Sequence, residues 1–434
     1  MEAYVGGKHE IGDVAIARRR SQQRGRRVVV GAFGVMFVMF GIINSFSPFF
    51  ASLQQTFTAQ RGAIALIYSI AAPLYFLLGL VSGPLADSLG PRRVALTGVL
   101  LGGTGLLFAA QATALWQIYL GFGVGVGAGT GFAYVPAIAA VQRWYLRGRG
   151  TASGLAVAGI GLGTLCMPLI AAPLILWLGW RGAWSVFAVL MIVGGGGAAL
   201  LLDRGPERYG WLPDGGVADP SAAHEKAVVT GWSIKDAIRS RPFCLLYVGL
   251  VFASVGAFVP FVHLVPYAED HGISHSSAVA IFSVLGIGST VGRFAIGGLA
   301  DRIGRGPSLA FVFFGLAAML LWWLAAASVW QLTIFALIFG SCQGGFVALY
   351  PALTVDYFGG RNASGIIGIL YTAGAFGTLL GPKLAGDGFD LFHSYLLPII
   401  VSAGCAFVAA SFILLLPKPT AHAAAYVLPS QPAE

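Results

Sequence analysis

The chain has 434 residues, of which 57% are hydrophobic and 10% charged, with a formal net charge of +9. Its mean hydropathy is +0.80. A soluble domain is about 25% charged, so a polar surface cannot be assembled from this composition and a water-soluble fold is excluded. The positive balance would suit nucleic acid or acidic ligands, but the cations are distributed as a membrane protein distributes them.

Residues 1–27 carry seven of these cations, Lys8, Arg18, Arg19, Arg20, Arg24, Arg26 and Arg27. They read as a basic tail that orients the first span, and no nucleic-acid partner is expected. A cleavable signal does not fit, because the first apolar run is long enough to cross a bilayer. Twelve apolar runs follow, near 28–52, 61–83, 93–112, 116–142, 151–177, 181–202, 242–267, 275–299, 307–328, 331–357, 363–386 and 392–416. Each meets the roughly 20 residues that a bilayer demands of a helix. The segment 203–241 is rich in Gly, Pro and charge and separates two groups of six. The chain therefore divides into a basic tail (1–27), a first bundle (28–202), a linker (203–241), a second bundle (242–417) and a second tail (418–434).

The two groups of six repeat. Leu85-Ala86-Asp87 and Leu299-Ala300-Asp301 lie 214 positions apart, as do Trp116-Gln117 and Trp330-Gln331, and Gly163-Thr164 and Gly377-Thr378. A parallel repeat of six spans places a pseudo-two-fold axis along the membrane normal and a binding site between the halves near mid-depth. The expected fold is an all-α membrane protein with twelve spans in two pseudo-symmetric bundles.

Of the 26 cations, 22 fall on one side of these spans, and Arg61 and Arg181 fall on the other. The positive-inside rule makes the crowded side cytoplasmic, with both termini there and the chain in the cell (inner) membrane. Cys166, Cys244, Cys342 and Cys405 lie in apolar runs without CxxC spacing and read as small buried hydrophobes. No cluster has metal-ligand spacing and no nucleophile–base set is visible, so neither metal, cofactor nor enzyme chemistry is expected. The glycine run 121–129 lacks the strand and helix start of a nucleotide loop and reads as close helix packing.

Two features carry chemistry. Arg293 lies eight residues before Asp301, roughly 12 Å inside the end of its span at helical rise. An intramembrane cation is costly and marks a substrate or ion pathway. Every Asp and Glu falls in a tail, a loop or a span end, so Arg293 has no carboxylate partner at its own depth. A guanidinium matches a carboxylate with two parallel hydrogen bonds, and an organic anion would supply them. The alternative is that Arg293 reaches the basic surface or pairs with Asp301 or Asp356. The second feature is the turn Gly83-Pro-Leu-Ala-Asp87-Ser-Leu-Gly90-Pro-Arg92-Arg93, echoed at 297–305.

This turn resembles the loop that follows the second helix in the major facilitator superfamily, and the likeness covers nearly all of 28–417. The resemblance implies a secondary transporter working by alternating access, with the loop as a latch formed by Asp87, Arg92, Asp301 and Arg305. Within that superfamily the second half is similar to the monocarboxylate transporters and the oxalate/formate antiporters. The similarity lies in Val259-Pro-Phe-Val-His263-Leu-Val-Pro-Tyr267, Gly272-Ile-Ser and Gly292-Arg293. It implies that Arg293 binds the substrate carboxylate. This chain departs from the monocarboxylate transporters at Asn44, where they carry a lysine, and at Ser289, where an aspartate is usual, and from the antiporters at Gly374, where their second cation falls.

The expected function is transport of a small mono- or dicarboxylate, by exchange or proton-linked symport, in a monomer whose partners are the anion, protons or a counter-anion, and lipid. The competing reading is a carrier for a drug, sugar or siderophore in which Arg293 serves gating. Polar residues at mid-depth complete the expected site: Asn44, Tyr134, Gln343 and Tyr371. His263, between Pro260 and Pro266, is added as a titratable group for proton coupling or an outer gate. Lys383 is read as a second clamp or as a local partner of Asp387.

Overall fold

The computed structural model describes residues 2–145, 149–209, 211, 213, 231–359 and 362–417, and the side chains of these except 2–17, 149, 150, 301, 363 and 364. The second tail, 418–434, lies outside the described residues. Those residues are almost wholly helical. The spans are α1 (Arg18–Phe57), α2 (Arg61–Leu77 continued by Gly79–Leu89), α3 (Pro91–Ala110) and α4 (Leu115–Trp144). The stretch Thr151–Leu200 is 50 residues long, twice what a bilayer needs. It breaks at Gly179, whose φ of 67° and ψ of 171° are non-helical and open to a residue without Cβ. The break makes it two spans, α5 (151–178) and α6 (180–200). The second half holds α7 (Arg241–Asp270), α8 (His275–Ala300), α9 (Arg305–Ala325), α10 (Val329–Phe358), α11 (Gly365–Phe392) and α12 (Leu396–Leu414).

Lipid is the solvent for the outer faces. Leu176, Trp177 and Leu391 expose 73%, 79% and 73% of their surface, which a water-soluble monomer would not leave bare. The inner faces pack through small residues. A Cβ on Gly121 would come within 2.6 Å of the Gly105 carbonyl, and one on Gly129 within 2.5 Å of that of Gly98. The glycine run therefore lets α3 and α4 approach backbone to backbone, where dispersion and not the hydrophobic effect drives association in lipid.

The repeat is visible in detail. Gly90 and Gly304 have φ of 94° and 90° and turn the chain out of α2 and α8 at equivalent places. The side chain of Gln117 accepts from the backbone amides of Thr113 and Ala114, and Gln331 does the same for Ala327 and Ser328. Thr164 and Thr378 each donate to the carbonyl four residues back. Equivalent positions thus make equivalent bonds.

The halves meet along α2 with α11 and α5 with α8. A Cβ on Gly286 would lie 2.4 Å from the Gly161 carbonyl, so α5 and α8 touch at mid-length through two glycines. In the linker, a 3₁₀ turn (Pro206–Tyr209) and a short helix (Ile234–Ile238) are described. The basic first segment continues α1 as helix from Glu2.

Candidate functional site

A cavity sits between the halves, with walls from α1, α2, α4, α5, α7, α8, α10 and α11. Counted as space open to water centres it measures about 70 Å³, room for roughly five waters at 10–15 Å³ each. Arg293, Asn44, Tyr134, Gln343 and Tyr371 all line it. Helical rise places these five residues near mid-depth, and the face that each helix turns to the cavity brings them together.

Arg293 reaches the cavity from α8. Its Nη1 donates to the Val157 carbonyl of α5 at 2.5 Å, and its buried Nε has no partner among the described residues. Asp356, one of its two conceivable partners, pairs with Arg305 instead. A guanidinium has five donors and no acceptor, so this one retains the capacity to hold an anion. Asn44 is tied into its own half: its Nδ2 donates to Thr164 Oγ1 at 2.9 Å, and its Oδ1 accepts from Tyr68 at 3.2 Å. Gln343 Oε1 accepts from the Ser289 hydroxyl at 3.2 Å. Tyr134 packs edge-on against Phe40, with ring centroids 5.2 Å apart, and Tyr371 against Phe76 at 5.8 Å.

His263 does not line the cavity. Phe261 does, and two residues on, a helix has turned about 200°, to the opposite face. His263 is fully buried between Tyr395 Oη, 3.1 Å from Nδ1, and the Pro382 carbonyl, 2.9 Å from Nε2. The carbonyl can only accept, so Nε2 carries the proton and Nδ1 accepts from Tyr395. His263, expected as a titratable group or an outer gate, thus stands apart from the cavity, bonded to Tyr395 and Pro382. Lys383 forms an i,i+4 pair with Asp387 and also lies off the cavity.

The side remote from the basic loops is closed by an arginine that sequence position alone left unremarked. Arg61, at the start of α2, makes a bidentate pair with Asp270 of α7, both distances 2.7 Å. The same guanidinium donates to Tyr395 Oη at 2.7 Å and stacks on Phe389, 3.9 Å from the ring centroid. The Asp390 carboxylate accepts from the backbone amides of Arg61 and Gly62 at 2.9 and 2.7 Å, capping α2 from the other half. The one available signal was that Arg61 is one of two cations on its side.

On the basic side the expected latch residues pair within their own halves. Asp87 is held by Arg143 rather than by Arg92; the Arg92 Nε donates to the Leu202 carbonyl, just past α6, at 3.0 Å. Arg305 binds Asp356 and the Ala352 carbonyl. The side chain of Asp301 lies outside the described residues.

The comparisons decide the family. A model of the Major Facilitator Superfamily matches residues 32–382 and 246–429. The chain belongs to the major facilitator superfamily. It is 28% identical over 414 residues to monocarboxylate transporter 12 of Xenopus laevis, covering 91% of this chain and 88% of that protein. It is 30% identical over 401 residues to monocarboxylate transporter 13 of Rattus norvegicus, covering 90% and 88%. The fold is similar to a bacterial homologue of the human lysosomal transporter Spinster, solved inward-facing and unoccupied, with a TM-score of 0.67 at 17% identity over 90% of this chain and 96% of that one. This superfamily member is an integral, multi-pass membrane transporter of a small molecule, not an enzyme. Its cavity also holds residues that the sequence did not single out, notably Ser254, Tyr75 and Phe40.

Proposed function

We propose that the chain transports small organic anions, mono- or small dicarboxylates, by alternating access, with Arg293 holding the substrate carboxylate. The observation that carries this reading is a cation on the cavity wall whose buried Nε is unpartnered and which no carboxylate of the described residues pairs. A buried charge without a counter-charge is strongly unfavourable, and a carboxylate ligand relieves it bidentately. Asn44, Tyr134, Gln343 and Tyr371 complete the wall around that ligand.

The cation-rich side is cytoplasmic, so both termini and the two latch turns face the cytoplasm of the cell membrane. In this conformation Arg61 joins the halves on the outer side, while Asp87 and Arg305 stay bonded within theirs. Those turns, with Arg92 and Asp301, exchange partners when the cytoplasmic side closes. No acidic side chain of the described residues lines the cavity, which favours anion exchange or facilitated flux over symport through a cavity carboxylate.

A second reading has a specific support: Arg293 bonds α5 from α8, as a gating residue for a non-carboxylate drug, sugar or siderophore would. Uptake into proteoliposomes separates the two. Lactate, pyruvate, formate, oxalate, malonate and tartrate are compared in wild type, Arg293→Ala and Arg293→Lys. Saturable uptake of an acid, lost in both variants, supports the carboxylate site. Acid flux indifferent to Arg293 sinks it and leaves the gating reading.

A further inference from the structure

Among the described residues, nine that line the cavity are aromatic, including Phe40, Tyr75, Phe76, Phe258 and Phe346, and Arg293 is the one charged residue of the lining. Lys383, which the sequence offered as a second clamp, is paired with Asp387 and does not line the cavity. One further group awaits a partner. Ser254 of α7 lines the cavity, is 1% exposed, and its hydroxyl has no partner among the described residues. Counting from Arg241 at the basic end of α7, Ser254 lies roughly 20 Å deep; counting from Ile303 at the same end of the α8 helix, Arg293 lies roughly 15 Å deep. The two unpartnered groups are therefore separated by roughly one helical turn along the membrane normal, with aromatic surface around them.

We propose that the cavity selects acids with one carboxylate and a compact apolar tail, aryl before alkyl, and that Ser254 reads a hydroxyl or carbonyl at the far end of that tail. The inference rests on the carboxylate role of Arg293. A second carboxylate would be desolvated among aromatic rings with no cation to meet it, which is strongly disfavoured. A flat apolar tail finds edge and face contacts with the rings at little conformational cost. A buried hydroxyl left without a partner carries its own desolvation penalty, and a ligand group that bonds it removes that penalty.

Three acids with one ring separate these features: benzoate, 4-hydroxybenzoate and terephthalate, with oxalate as a small dicarboxylate. Their uptake is measured in proteoliposomes for wild type, Ser254→Ala, Ser254→Thr and Arg293→Lys, each checked for a monodisperse elution profile. Benzoate and 4-hydroxybenzoate are expected to be carried, and terephthalate and oxalate at least ~100-fold less efficiently. The preference for 4-hydroxybenzoate over benzoate falls about 5-fold in Ser254→Ala and survives in Ser254→Thr. Terephthalate or oxalate carried as well as benzoate overturns the single-carboxylate selectivity, and an unchanged preference in Ser254→Ala overturns the role of Ser254. If oxalate uptake needs Arg293 and benzoate is ignored, this inference fails and the carboxylate site stands. If no acid depends on Arg293, the functional reading beneath it fails as well.

Discussion

Arg61 and Arg293 both stand where the halves of the transporter meet, and their surroundings are opposite. Arg61 is saturated: a bidentate carboxylate, a phenol and an aromatic face are all within reach, and its side chain is 12% exposed. Arg293 has a single backbone carbonyl and an unpartnered Nε. A cation whose bonds are complete holds two surfaces together, whereas one whose bonds are incomplete waits for a ligand. The same side chain is thus a clasp at one depth and a binding group at another, and the partners supplied by neighbouring helices decide which.

The contrast breaks most sharply at Arg293. Replacement by Ala removes the charge that holds the carboxylate, and truncating one partner of a buried charge pair costs roughly 2–5 kcal/mol. The ratio kcat/KM for acid uptake is expected to fall by ~30-fold or more. Arg293→Lys keeps charge but loses the fork and is expected to restore little of it.

Arg61→Ala acts on the conformational equilibrium instead. Hydrogen bonds to charged groups are worth about 1.5–3 kcal/mol, reduced here because Asp270 is 34% exposed. Relief of a bond made only in the outward-closed state shifts the population about tenfold toward opening. In a cysteine-free background, a Val347→Cys probe in the cavity should react faster with an impermeant thiol reagent added from the Asp270 side. Unchanged labelling would mean that the clasp does not set the equilibrium. Asp270→Arg combined with Arg61→Asp should return the labelling rate toward wild type.

His263→Ala leaves the Pro382 carbonyl and the Tyr395 hydroxyl without their partner, at about 1–3 kcal/mol. The expected result is a lower melting temperature with a KM for the transported acid within ~3-fold of wild type. A large KM change would return His263 to the site. Smaller again is Asn44→Ala, which cuts two bonds, to Thr164 and Tyr68, and should cost about 1.2 kcal/mol at roughly 0.6 kcal/mol per interhelical bond in lipid. Thermal unfolding of the purified variant measures it.

How much of this was legible before the coordinates follows from what sequence encodes. Spans are readable because lipid imposes a length and a polarity on every helix, and even the division between α5 and α6 was placed around Gly179. The repeat was readable because equivalent turns need equivalent residues: Gly90 and Gly304 adopt the same positive φ, and Gln117 and Gln331 cap the same turn. Polar cavity residues were readable through depth, since Asn44, Tyr134, Gln343 and Tyr371 are rare polar groups at mid-span.

Azimuth and partner choice were not readable. Phe40 and Tyr75 face the cavity, but phenylalanine and tyrosine facing lipid look the same in a chain that is 12% aromatic. His263 shares its depth and motif with Phe261 and points the other way. Arg61 meets Asp270, 209 positions on, and Asp390, 329 positions on, and no local pattern announces a pairing at that separation. Arg92 had an acid five residues away in Asp87 and still bonds the Leu202 carbonyl just past α6.

The most direct measurement is equilibrium binding of a radiolabelled monocarboxylate to the purified protein, comparing wild type with Arg293→Lys and Arg61→Lys at matched folding quality. Saturable binding in wild type and in Arg61→Lys, with loss in Arg293→Lys, is the result that an unpaired cation acting as ligand site requires. Binding that persists in Arg293→Lys, or that disappears equally in both variants, would contradict it.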